Sequence, residues 1–134
     1  MKNCPICYGK LEHKKKDTVY EYKGEKITIS QPAKYCLSCR ESFLSADDIK
    51  ATKKDIVDFK RSVDHLLKTE EIKAIRKRLN LTQQEAGKIF GGGIRSFYKY
   101  ETGENNPHRS LDILLRLIDK KKIDLDDVMQ VSEL

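Results

Sequence analysis

The 134-residue chain is 36% charged and 38% hydrophobic, with a formal net charge of +6. No apolar run approaches the roughly 20 residues a membrane-crossing helix needs. The N-terminus lacks the apolar core of a signal peptide, so a reducing cytoplasm is the expectation. The length admits one ordinary domain or two small ones, and a domain below about 70–80 residues rarely holds a sufficient core without a staple such as a metal or disulfides.

Residues 1–44 contain all four cysteines, spaced as "CPIC" (Cys4, Cys7) and "CLSC" (Cys36, Cys39). In a reducing compartment, paired C-x-x-C turns point to metal or redox chemistry before structural disulfides. Two such turns brought together present four thiolates at tetrahedral corners, the arrangement Zn²⁺ takes. The 28 residues between the pairs exceed the usual spacing of such sites. They contain the strand-like runs "TVYEY" and "KITIS" about Gly24, which predict a hairpin able to carry one turn to the other. A thioredoxin-like redox site would need a single pair in a βαβ context, and that context is missing. With four cysteines the ligand set is complete, which leaves His13 and His65 as surface histidines. A closed Cys₄ site has no open position for catalysis, so the zinc expected here is structural, one ion per chain.

Residues 45–68 read as a linker helix. Ser45 suits the cap, and Asp47 and Asp48 suit the first turn. Ile49, Ile56 and Val63 fall on one stripe, and Phe59 and Leu66 form a companion row that Thr52 extends; together they predict the packed face.

Residues 69–134 read as helical. Ile72, Ile75 and Leu79 share a face, and Leu111, Leu114, Leu115 and Ile118 form a last apolar one. Between them, Thr82 and Glu85 make a T-x-x-E capping box, "GGG" at 91–93 ends that helix, and "IRSFYKYE" begins another. A capped helix, a glycine turn and a second short helix predict a helix-turn-helix. From Ile72 to Ser110, eight Lys or Arg face three acids, a local excess suited to a polyanion. In a major groove the second helix would offer Ile94, Arg95, Ser96, Tyr98 and Lys99 to bases. Gln83 and Gln84 would lie near phosphate beside the first helix's N-terminal amides, and Phe97 and Tyr100 would face the core.

The stretch "LTQQEAGKIFGGGIRSFYKYETGENNP" resembles the Xre-type helix-turn-helix of the MqsA antitoxin family, and "CPIC…CLSC" is similar to that family's zinc domain. The two in this order span nearly the whole chain. The resemblance implies an antitoxin of a type II toxin–antitoxin module. Its zinc domain would neutralise a protein toxin, in the type case an mRNA interferase (a small ribonuclease). Its helical domain would form a homodimer and repress the operon at a palindromic DNA operator. The family's two base-reading positions fall on Arg95 and Lys99. The type member has Asn and Arg there, so the operator bases do not transfer, since Asn favours adenine and Arg or Lys guanine. The resemblance also extends phosphate contacts to Lys60 and Arg61.

The expected fold is therefore α+β and multidomain. A zinc ribbon-like β-hairpin domain with its linker helix covers residues 1–67, and an all-α helix-turn-helix domain covers 68–134. No Ser/His/acid set, open metal site or P-loop is present, so no enzymatic activity is expected. The rival functions are a free-standing transcription regulator without a toxin partner and a thiol oxidoreductase.

Overall fold

Twelve residues of β1 (Leu11–Tyr22) pair antiparallel with twelve of β2 (Glu25–Cys36), in register from Leu11 opposite Cys36 to Tyr22 opposite Glu25. The computed structural model describes residues 2–132. Only Lys23 and Gly24 remain for the turn, both at positive φ (50° and 84°), the backbone a tight two-residue hairpin requires. The ribbon is far longer than the two apolar runs predicted. Pairing continues through the lysines at 14–16 and through Pro32, where side-chain propensity reads as loop. Pro32 is tolerable because β3 (Ser42–Phe43) pairs only with Lys34 and Tyr35, so the far edge of β2 carries no ladder at Pro32.

One face of β2 is buried through Ile29, Gln31, Ala33 and Tyr35, in the period-2 alternation of a half-covered sheet. Helix α1 (Ala46–Val63) covers it. Its N-terminus is closed reciprocally: the Ser45 amide donates to Asp48 Oδ2 (2.9 Å) and the Asp48 amide to Ser45 Oγ (3.2 Å). The packed face differs from the predicted one at its start. Thr52 is buried with its row, but Asp48 is buried as well and Ile49 is 56% exposed. The reason is a polar seam: Thr52 Oγ1 donates to Gln31 Oε1 (3.0 Å), and Gln31 Nε2 donates to the Asp48 carbonyl (3.0 Å). Meeting Gln31 brings Asp48 into the contact row beside Thr52, and Phe59 continues that row two turns on. Phe59 meets Tyr20 edge-on, with ring centroids 6.4 Å apart. His13 Nε2, on β1, lies 2.8 Å from Asp48 Oδ1. The Asp48 carboxyl is held below the usual range by the Ser45 amide first and by His13 next.

The helical part contains α2 (Thr69–Arg78), α3 (Gln83–Phe90), α4 (Ser96–Thr102), α5 (Arg109–Asp119) and α6 (Leu125–Ser132). Leu67, Ile72, Ile75, Ala86, Phe97, Tyr100 and Leu115 form one buried cluster, with Leu79, Leu81, Phe90 and Leu111 packed against it. Phe97 sits between Phe90 (ring centroids 5.9 Å apart, tilted) and Tyr100 (5.4 Å, edge-on). Phe97, Tyr100, Leu115 and Ile118 thus lie inside, as their spacing predicts.

The chain divides into two compact units between Phe59 and Lys60, eight residues ahead of the expected boundary between residues 67 and 68. Residues 61–67 are tied into the helical unit. The Leu67 amide donates to buried Asp112, Arg109 donates to the Asp64 carbonyl, and Arg116 donates to the His65 carbonyl.

Candidate metal centre and candidate nucleic-acid interface

The sulfurs of Cys4, Cys7, Cys36 and Cys39 all lie within 4.8 Å of one another, with Cys7–Cys36 at 3.4 Å and Cys4–Cys39 at 3.7 Å. A tetrahedron with Zn–S bonds of about 2.3 Å has edges of about 3.8 Å. Two turns of matching form build the site. In the first, the Cys4 amide bonds the Gly9 carbonyl (2.8 Å) and the Tyr8 amide the Cys4 carbonyl (2.9 Å). In the second, the Cys36 amide bonds the Glu41 carbonyl (2.9 Å) and the Arg40 amide the Cys36 carbonyl (3.2 Å). Tyr8 and Arg40 hold corresponding positive φ, 61° and 63°. Each turn aims amides at its own sulfur: Ile6 to Cys4, Gly9 to Cys7, and Ser38 and Cys39 to Cys36, all at 3.4–3.5 Å.

These amides favour thiolate. The Cys39 amide above all, together with the Ser38 amide, holds the Cys36 thiol down at about 6 against its burial. The amide of Glu41 acts in the same direction on Cys39, but burial and the neighbouring thiols override it and push that group up to about 12. Four sulfurs this close cannot all ionise without a cation among them. The donor set, its spacing and its amide shell therefore fit a closed four-coordinate metal ion.

Gly9 also belongs to this centre. A Cβ there would lie 2.7 Å from Ser38 Oγ and 2.9 Å from Ser38 Cβ, so the two turns approach through the space a side chain would fill. Its signal in the sequence is its place two residues after Cys7, where the second turn has Glu41.

The helix-turn-helix consists of α3, a loop and α4. The capping box forms as its spacing predicts: the Glu85 amide donates to Thr82 Oγ1 and the Thr82 amide to Glu85 Oε1, both 3.1 Å. Those two amides are therefore occupied by the box. Gly91, Gly92 and Gly93 all have φ near +90°. A Cβ on Gly87 would fall 2.2 Å from the Gly93 carbonyl oxygen, so α3 touches this loop backbone to backbone.

The predicted recognition residues divide. Tyr98 and Lys99 are on α4, with Tyr98 exposed and Lys99 half-exposed. Ile94 and Arg95 precede α4 in the turn, and both are exposed. The Arg95 guanidinium lies over the Tyr98 ring at 5.4 Å. Ser96 is buried; its hydroxyl donates to the Gly93 (2.8 Å) and Gly91 (3.3 Å) carbonyls, so it closes the glycine turn instead of facing outward. Gln84 is exposed, whereas Gln83 is half-buried and donates to Glu101 Oε1 (3.3 Å).

Two buried arginines behind α4 carry no signal in the linear pattern. Arg76 forks onto Glu101 (Nε–Oε2 2.9 Å, Nη2–Oε1 2.8 Å), and its Nη1 donates to the Leu81 carbonyl (2.9 Å). Arg61 has no exposed surface, so the chain does not present it for the phosphate contact the resemblance implied.

A four-cysteine metal ribbon joined to a helix-turn-helix unit defines the class of the protein. Within that class, the family described as the antitoxin component of bacterial toxin–antitoxin systems, MqsA, matches residues 1–129, and the chain belongs to it. Antitoxin MqsA of Escherichia coli (strain K12) is 38% identical over 120 residues, covering 87% of this chain and 92% of that protein. A solved N-terminal domain of the E. coli protein MqsA aligns at 28% identity with a TM-score of 0.41, over 47% of this chain and 97% of that one. Among the described residues, no helix is long and apolar enough to cross a membrane.

Proposed function

We propose that this antitoxin binds one structural Zn²⁺ through Cys4, Cys7, Cys36 and Cys39, and represses its own operon as a homodimer on a palindromic DNA site. We propose further that it neutralises its toxin, a small ribonuclease of the mRNA interferase kind, through the metal ribbon. The observation that carries the DNA reading is the row Ile94, Arg95, Tyr98 and Lys99, at the start of a helix whose opposite face is locked into the core by Phe97 and Tyr100. Two cations and an aromatic ring at this place match what a recognition helix offers a major groove.

A palindrome needs two copies, and the support for a dimer is apolar surface on the last two helices. Leu114, Ile123, Val128 and Val131 line a groove of about 390 Å³, with Ile113 and Met129 exposed on the same two helices. Zinc at the sulfur cluster would supply a cross-link between two turns of a ribbon that has little core of its own.

The test uses full-length protein and a duplex from the region upstream of its gene. Arg95→Ala and Lys99→Ala should each reduce preference for that duplex over a scrambled one by about 1–3 kcal/mol for each base the side chain reads. Unchanged preference in both variants would remove α4 from the reading surface.

A further inference from the structure

Among the described residues, Arg61 is the largest fully buried side chain, at 0% exposure, although it lies on the last turn of a helix rich in charged residues. Three of its nitrogens are spent behind the recognition helix. Nη1 donates to the Tyr100 carbonyl (2.9 Å), Nη2 to the Asn105 carbonyl (2.8 Å) and Nε to Asn106 Oδ1 (2.9 Å).

Tyr100 is in the last turn of α4, where carbonyls lack helical partners. The Lys99 carbonyl next to it is served by the amides of Gly103 and Asn105, because Gly103 turns the chain back at φ 87°. Arg61 thus completes the C-terminal cap of α4 and ties the returning loop 103–106 to it. A cation at this end is favoured by the helix dipole. Only a planar fork serves three acceptors in this way; a lysine ammonium on a flexible stem cannot hold all three in place.

From this geometry we infer that Arg61 is a positioning residue for DNA reading. It sets the axial position of α4, and hence of Arg95 and Lys99, without touching DNA itself. The inference rests on the proposed DNA-binding role of α4. A base-reading side chain misplaced by about 1 Å loses its bidentate geometry, whereas contacts made by other cations to phosphate tolerate the shift.

The experiment measures affinities of the full-length zinc-loaded protein for the upstream duplex and a scrambled duplex across a salt series. The wild type is compared with Arg61→Lys, Arg61→Met and Asn106→Ala, with helical content followed by circular dichroism. The expected result is a loss of about tenfold or more in preference for the upstream duplex. Scrambled-duplex affinity and salt slope should stay as in the wild type. Asn106→Ala removes one acceptor only, and it reads the same clamp if Arg61→Met fails to fold. A salt slope reduced by about one, with both duplexes weakened alike, would make Arg61 a phosphate contact and overturn the inference. Preference unchanged in folded variants would overturn it as well. A wild type without preference for the upstream duplex would instead refute the DNA reading beneath it.

Discussion

Glu101→Ala tests what holds the recognition helix in place. The Arg76 and Glu101 side chains are 10% and 4% exposed, so solvent screens them little. Glu101 accepts both arms of the Arg76 fork and also the Gln83 amide; once it is gone, the Leu81 carbonyl is the Arg76 partner that remains of these. Breaking a buried pair from one side costs about 3–5 kcal/mol, because the remaining charge stays desolvated. At roughly 4–8 °C per kcal/mol for a domain of this size, the helical unit should melt about 12 °C lower, or more. Urea unfolding of the full chain, followed by far-ultraviolet circular dichroism, gives the free energy. A cycle of Arg76→Met, Glu101→Leu and the double variant Arg76→Met/Glu101→Leu gives the coupling. The double variant should regain most of the loss, since an apolar pair of similar volume removes the stranded charge. A loss below about 1 kcal/mol for Glu101→Ala, or strict additivity in the cycle, would refute the assignment of this pair as a lock on α4.

Gly87→Ala should abolish preferential binding to the upstream duplex while leaving metal content unchanged, because its Cβ would meet the Gly93 backbone oxygen at 2.2 Å and neither backbone can yield cheaply; equal metal content with intact binding would contradict this. Gly9→Ala should weaken metal affinity by about tenfold or more in a competition titration with a chromogenic chelator, and Ser38→Gly in the same chain should restore it, since Ser38 is the atom group struck. The Glu85 carboxyl is held below its ordinary value by the Thr82 amide first and the Thr82 hydroxyl next. A lowered folded value means the stabilisation is complete above the unfolded value of about 4.3 and is lost as pH falls through the lower folded one. Glu85→Gln keeps the capping geometry but cannot titrate, so acid unfolding of the helical unit should be shallower over that window than in the wild type.

Much of the protein was readable in one dimension because its rules are local. Two C-x-x-C turns on either side of a hairpin announce a four-sulfur cluster that could hold a metal ion. Thr82 and Glu85 need only each other and one helical turn. Phe97 and Tyr100 share a face through a period that any helix obeys. What depended on residues far apart in the chain was not readable. The ribbon runs through lysines and a proline because register with the opposite strand overrides propensity. Helix α1 buries Asp48 instead of Ile49 because His13, 35 residues away, and the Ser45 amide supply partners for its carboxylate, while Gln31 meets its carbonyl. Ser96 turns inward because the glycine turn places the Gly91 and Gly93 carbonyls around it, leaving Ile94, Arg95, Tyr98 and Lys99 as the outward set. Arg61 and Arg76 look like surface charges until their acceptors, 25 to 45 residues onward, close around them. A side chain's intrinsic preference is written at its own position, but the cost of burying its charge is decided by partners that only the folded chain brings within about 3 Å.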